Sequence, residues 1–139
     1  YQTENDDVTG TLKAVRHHLR PGGLMMFDCW YGPAVLSQRP GSPVKFIEAK
    51  GQTLHRRTQT ELDVNRNLCA VHFELTVTEG GRVVGENRET HRMRYFFLPE
   101  LSFLLKAARF RPVSFGGFPD IAREPDETTW NIFAVAQAV

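Results

Sequence analysis

A helical pattern followed by a short apolar strand opens the chain. Apolar residues recur every three or four positions at Val8, Leu12, Val15 and Leu19. This spacing predicts an amphipathic helix over residues 6–20, which Pro21-Gly22-Gly23 ends. Residues 24–30 (LMMFDCW) are apolar on both faces, the pattern of a central strand that helices cover on both sides.

The middle of the chain, residues 44–97, follows the two-residue period of antiparallel strands. Every second position is apolar at Cys69, Val71, Phe73, Leu75 and Val77. Such alternation indicates a strand with one buried face. Gly80-Gly81 is a hairpin turn by composition, and a return strand follows it. The preceding stretch 36–43, which contains Ser, Gly and Pro, is predicted to be a loop.

A second helix and a closing strand are predicted near the end of the chain. Pro99 suits the first turn of a helix because its missing N–H would be unpaired there in any residue. The apolar spacing extends this helix over residues 99–109. Residues 113–115 predict a short strand, and residues 129–138, apolar on both faces, predict a central closing strand.

These elements predict a mixed α/β fold in a single domain, residues 1–139. Its segments are 1–35 (helix and central strand), 44–97 (antiparallel β-sheet insertion) and 98–139 (helix and closing strands). We expect three layers, with two main helices packed on a mixed sheet and the hairpin 68–97 as an antiparallel extension.

Composition and charge exclude several classes of function. The chain carries 17 Lys and Arg against 16 Asp and Glu, a net charge of +1, so it lacks the basic surplus of a nucleic-acid-binding protein. No apolar run approaches the roughly 18 residues of a membrane span. Cys29 and Cys69 have no C-x-x-C partner, so we expect no disulfide and no metal site, but buried thiols in a cytoplasmic protein.

Five sequence blocks resemble class I S-adenosylmethionine-dependent methyltransferases. They are HLRPGGL (residues 18–24), FDCW (27–30), ETHRMRYFF (89–97), PEL (99–101) and AARF (107–110). The blocks are similar to the turn and fifth strand of the Rossmann-like sheet, and to the helix that follows an antiparallel insertion, in sugar N,N-dimethyltransferases. The resemblance implies the C-terminal portion of such an enzyme. Arg109 stands where this family usually has Gly.

The resemblance implies S-adenosylmethionine as cofactor, but the part of the fold that binds it has no counterpart in the sequence. A nucleotide-type site needs a strand, a Gly-rich turn and a helix N-terminus, and Gly22-Gly23 follows a helix instead of preceding one. Tyr1 corresponds to the end of the family's fourth strand and is the candidate cofactor-binding residue. We expect a truncated or partial S-adenosylmethionine-dependent methyltransferase acting on a small molecule. The alternative is a non-enzymatic small-molecule-binding or oligomeric assembly module.

Trp30 and Tyr31 are candidates for the acceptor site. They leave the carboxyl end of the predicted strand, the edge where α/β sheets bind ligands. In the resembling enzymes this loop lines the acceptor pocket, which makes both residues candidates for substrate binding and Tyr31 a candidate catalytic residue. The alternative is that Trp30 belongs to the core and Tyr31 to a turn. Asp28, inside the same strand, is costly to bury unless it is paired.

His91 is the candidate catalytic base. If the hairpin has a two-residue loop, His72 opposes Glu89 and both share a sheet face with Glu74 and His91. Such a cluster can move protons or position a hydroxyl or amine, so His72 and Glu89 are candidate substrate-binding residues. The alternative is a solvated polar face, because a shift of one residue separates the cluster. Arg94 is a candidate for binding an anionic acceptor.

One edge of the strand at residues 24–30 has no predicted partner within the chain. In the complete family fold a fourth strand lies there, and no residues before Tyr1 supply it. An exposed apolar edge is a template for pairing with another chain. We therefore expect a homodimer formed through this edge.

Overall fold

The computed structural model describes residues 1–139 and confirms the mixed α/β fold. The helices are α1 (Asn5–His18), α2 (Gly32–Gln38) and α3 (Leu98–Ala107). The strands are β1 (Leu24–Tyr31), β2 (Val44–Ala49), β3 (Gln52–Asp63), β4 (Leu68–Glu79), β5 (Arg82–Phe96), β6 (Phe110–Gly117) and β7 (Asn131–Ala138). None of these helices is both long and apolar enough to cross a membrane.

The chain forms two compact units. The first contains Pro40–Met93 together with Tyr1, and the second contains Gln2–Arg39 and Arg94–Val139. The first unit begins and ends within four residues of the segment 44–97 that the sequence marks as an insertion.

Four strands in the order β2-β3-β4-β5 make the sheet of the first unit. β2 pairs with β3, and β3 with β4, in antiparallel register. The turn between β4 and β5 consists of Gly80 and Gly81, whose φ angles are 55° and 78°. Two successive residues with positive φ are what a tight hairpin turn requires, and glycine adopts this conformation without steric cost.

β1 is the centre of the second unit. It pairs with β7 in antiparallel register from Leu24 to Trp30, and β7 pairs with β6. On its other side, only the end of β1 has a partner: Trp30 and Tyr31 pair in parallel with Tyr95 and Phe96 of β5. The predicted unpaired edge of residues 24–30 is therefore present at residues 24–29 but not at Trp30.

Both main helices cover the same face of this sheet. Met25 and Tyr31 of β1 pack in one core with Leu12 of α1 and Leu105 of α3. On the opposite face Leu24, Met26 and Asp28 are exposed, and Asp28 thus avoids the cost of burial. The expectation that helices cover residues 24–30 on both faces is wrong, because Leu24 and Met26 are exposed on the face away from α1 and α3.

The segment 32–38 differs from the predicted elements, and Arg109 is the position where the sequence departs from the resembling family. Residues 32–38, partly predicted as loop, form α2, with Pro33 in its first turn and Ala34 and Val35 fully buried. After α3, Arg109 has a φ of 62°. Arg109 thus takes the left-handed conformation for which glycine is usual after a helix, despite carrying a side chain.

Candidate functional site

Tyr1, His91 and Glu89 form a hydrogen-bonded chain in the first unit. The Tyr1 hydroxyl lies 2.7 Å from Nδ1 of His91, and Nε2 of His91 lies 3.1 Å from Oε2 of Glu89. Both nitrogens of the imidazole therefore have a partner. Glu89 is held in turn, since the Asn87 amide donates to its other oxygen at 2.7 Å.

An aromatic and a cationic side chain flank this chain of hydrogen bonds. The Phe73 ring of β4 meets the His91 ring edge-on, with 5.3 Å between centroids and an interplanar angle of 78°. The Arg56 guanidinium lies over the same Phe73 ring at 5.4 Å, and its buried Nε has no hydrogen-bond partner. The imidazole is thus restrained by packing as well as by hydrogen bonds.

His72 lies on the opposite face of the same sheet. Its Nδ1 lies 2.9 Å from the Thr90 hydroxyl, and Glu74 pairs with Arg88 at 3.5 Å. Contacts across neighbouring strands join side chains on one face, so His72 and Glu74 share a face with the even-numbered residues of β5. The expectation that they share a face with Glu89 and His91 is wrong. His72 contacts Thr90 and Glu74 contacts Arg88, so away from the Gly80-Gly81 turn the pairing is one residue out of the register that this turn alone would set.

Trp30 and Tyr31 lie in the second unit, at the end of β1. The Trp30 ring meets the Trp130 ring edge-on at 5.5 Å, and Tyr31 is buried. Burial, with smaller contributions from the carboxylates of Asp126 and Glu124, raises the pKa of the Tyr31 hydroxyl. Tyr31 therefore keeps its proton at neutral pH.

Asp126 organises the loop between β6 and β7. Its carboxylate accepts hydrogen bonds from Thr128 and Thr129 and pairs with Arg123 at 2.6 Å. The Thr128 hydroxyl, followed by Arg123, holds the pKa of Asp126 well below its usual range. Asp-x-Thr-Thr at 126–129 is a side-chain-to-backbone turn signal that the sequence offers.

The side chain of Arg94 is buried in the second unit, and both terminal nitrogens of its guanidinium have hydrogen-bond partners. It pairs with Glu100 at 2.6 Å and donates to the Thr3 carbonyl and the Asn5 amide oxygen. The same group stacks on the Phe96 ring at 5.0 Å. These contacts give Arg94 a structural role, and acceptor binding by Arg94 stays a prediction.

The glycines that flank β1 do not form a cofactor cradle. The N–H groups of Gly22 and Gly23 donate to the carbonyls of Ala138 and Arg20 at 2.8 and 2.9 Å. Gly32, at the start of α2, leaves room for the Phe97 ring, whose atoms come within 2.5 Å of the position that a Cβ would take. These three glycines therefore do not supply the free backbone donors at a glycine turn that a site for the adenosyl group of S-adenosylmethionine needs.

Burial affects both thiols of the chain. Burial, with smaller contributions from Asp28 and Glu100, raises the pKa of the Cys29 thiol to about 12. Burial also raises the pKa of Cys69. No group of three or more His, Cys, Asp or Glu side chains lies in a position to hold a metal ion.

Solved structures of methyltransferases are similar in fold to this chain. No family model and no curated protein matches the chain. A methyltransferase from Clostridium acetobutylicum that depends on S-adenosylmethionine is similar in structure, with a TM-score of 0.73 and 20% identity over 97% of this chain and 52% of that one. The chain therefore has the fold of part of a methyltransferase.

Two other solved methyltransferases give the same result. The CcbJ methyltransferase from Streptomyces caelestis matches 99% of the chain at a TM-score of 0.72 and 20% identity. The sugar N-methyltransferase KedS8 from a Streptoalloteichus species matches 100% at a TM-score of 0.73 and 15% identity. This methyltransferase-like chain spans about half the length of each, 52% in both cases. That share is consistent with the C-terminal half that the sequence predicts.

Proposed function

We propose that this chain is the acceptor-side part of an S-adenosylmethionine-dependent methyltransferase that acts on a small molecule. The observation that carries the proposal is the pairing of two facts. The fold matches about half the length of each of two solved methyltransferases. Of the glycines that flank β1, Gly22 and Gly23 have hydrogen-bonded N–H groups, and the Phe97 ring occupies the space beside Gly32. S-adenosylmethionine would supply the methyl group, held mainly by residues outside 1–139, with Tyr1 as the candidate contact from this chain.

The acceptor we propose carries an amine or a hydroxyl. His91 is the candidate base because its imidazole is partly exposed and hydrogen-bonded on both sides. Two of the similar structures are described as a sugar N-methyltransferase and an amino pentose methyltransferase, which makes an amino sugar the first acceptor to test. Trp30 and Tyr31 remain candidates for acceptor contacts in the second unit.

The exposed surface of β1 supports the proposal that one segment binds the acceptor and another binds the cofactor. Residues 24–29 have an unpaired edge, and Leu24 and Met26 beside it are 54% and 63% exposed. At about 25 cal/mol per Å² of apolar area, covering such a surface contributes several kcal/mol. A cofactor-binding segment that adds a parallel strand at this edge would cover it.

Calorimetric titration of the chain with S-adenosylmethionine tests this division. We expect no binding up to millimolar cofactor, since the adenosyl cradle lies outside residues 1–139. Micromolar binding by the chain alone would contradict the proposal that it provides only the acceptor side. Micromolar binding would also exclude the alternative, a non-enzymatic binding or assembly module. The absence of a cofactor cradle is the observation that favours this alternative.

A further inference from the structure

The two partners of His91 differ in what they can do in a hydrogen bond. The Glu89 carboxylate, when ionised, only accepts, so the Nε2 atom beside it must carry a proton. In the neutral imidazole Nδ1 then has no proton and accepts from the Tyr1 hydroxyl at 2.7 Å. The contacts therefore select one tautomer, with the basic lone pair of His91 on Nδ1 and directed at Tyr1.

This selection decides where a base at His91 can act. Nε2 is blocked by the proton that it donates to Glu89, and the lone pair of Nδ1 is occupied by Tyr1. A proton from an acceptor reaches the imidazole only through the group that covers Nδ1. That group, Tyr1, is 77% exposed and open to a ligand.

We propose that the Tyr1 hydroxyl is the group that takes the proton from the acceptor, with His91 as the base behind it and Glu89 as the positioning residue. The inference rests on the proposed function and names the atoms that serve it. An ammonium N–H or a hydroxyl O–H of the acceptor gives its proton to the Tyr1 oxygen while the Tyr1 proton moves to Nδ1 of His91. The imidazolium is then paired with Glu89, and the acceptor atom keeps the electron pair of the broken bond as a nucleophile.

The groups around the imidazole favour this direction of transfer. From β5, Glu89 stabilises the imidazolium, and the Asn87 amide keeps the Glu89 carboxylate in place. From β4, the Phe73 ring fixes the plane of the imidazole. Of the cations on this face, Arg56 from β3 lies over the Phe73 ring, and Lys45 from β2 is paired with Arg56 one strand further away. In this arrangement Tyr1 receives the proton, and Glu89 balances the positive charge that forms on His91.

Nitrogen-15 NMR of the histidine rings in the intact 139-residue chain tests the inference. In the neutral form we expect His91 to carry its proton on Nε2, with the Nδ1 resonance shifted upfield by the hydrogen bond from Tyr1. Tyr1→Phe removes only an exposed hydroxyl, so the fold is kept, and the Nδ1 resonance moves downfield while the tautomer stays the same. Glu89→Ala removes the acceptor, and we expect His91 to become a mixture of tautomers.

His72 is the internal control, because it lies on the other face of the sheet and bonds to Thr90. Its resonances should stay unchanged in both variants. A neutral His91 protonated on Nδ1, or an Nδ1 resonance that Tyr1→Phe does not move, would overturn the inference. These readouts need no cofactor, so they fail or succeed independently of the proposed methyl transfer.

Discussion

At the scale of single residues, Gly32 and Asp126 are each fixed by specific contacts. Gly32 begins α2 where the Phe97 ring fills the space of a side chain. Asp126 is the centre of a loop in which two threonines and an arginine bind its carboxylate. Gly32 is required because the ring of Phe97, which is distant in sequence, fills the space beside it. Asp126 is required because its near neighbours bond to its carboxylate.

Gly32→Ala is expected to destabilise the fold. The added Cβ would lie within 2.5 Å of the Phe97 ring, and such overpacking costs about 1–3 kcal/mol. The control is Gly10→Ala within α1, where nothing lies within 4 Å and the higher helix propensity of alanine stabilises by up to about 1 kcal/mol. Urea denaturation measures both, and equal effects of the two variants would contradict the packing seen at Gly32.

Asp126→Asn is expected to destabilise the chain at neutral pH but not in acid. The pKa of Asp126 is lowered in the folded state, so its contribution is present above the ordinary value of 3.8 and is lost as the pH falls through the folded value. The melting temperatures of wild type and variant should therefore converge at low pH. Glu124→Gln, an exposed neighbour in the same loop, is the control, and a difference that persists in acid would count against the assignment.

At the scale of elements, Arg94 ties three segments of the second unit together. It lies at the end of β5, pairs with Glu100 in α3 and bonds to Thr3 and Asn5 at the start of α1. Glu100 also accepts from the Phe97 N–H, which caps α3. One buried cation thus fixes the starts of two helices against the end of a strand.

Arg94→Met is expected to cost about 3–5 kcal/mol, because it leaves the Glu100 carboxylate without its buried partner. The double variant with Glu100→Gln should cost less than the sum of the two single variants. The exposed pair Arg57–Glu74, at 4.0 Å, is the control, and Arg57→Met should cost about 0–1 kcal/mol. An additive double variant would show that the pair is not coupled.

The elements themselves could be predicted from the sequence, but their faces could not. The spacing from Val8 to Leu19 predicts α1, and Pro99 with the leucines after it predicts α3. The face that each strand residue occupies depends on the register beyond the Gly80-Gly81 turn, and one residue of shift parts His72 from His91. The contact between Tyr1 and His91 joins residues 90 positions apart, and no local pattern encodes it.

At the scale of the whole molecule, one face of the second unit's sheet is exposed at the start of β1. The helices α1 and α3 share the covered face with Met25 and Tyr31. The bare face and the unpaired edge meet at Leu24 and Met26. Such an apolar strand edge is one that proteins normally cover, pair or protect with charge.

Without a segment to cover this edge, the chain is expected to form a homodimer through β1. Met26→Lys places a charge on the bare surface and should shift sedimentation equilibrium towards the monomer. The control is Phe46→Lys on β2, an exposed position of the first unit, which should leave the dimer intact. A well-folded wild-type monomer at high micromolar concentration would contradict the prediction.

The central claim is that this chain provides the acceptor side of a methyltransferase, and an NMR titration tests it most directly. The labelled chain would be titrated with the methyl glycoside of an amino sugar and, separately, with S-adenosylhomocysteine. We predict that the amino sugar shifts the resonances of Tyr1, His91 and Phe73, while S-adenosylhomocysteine causes no saturable change. Saturable binding of S-adenosylhomocysteine with no response to the amino sugar would contradict the claim.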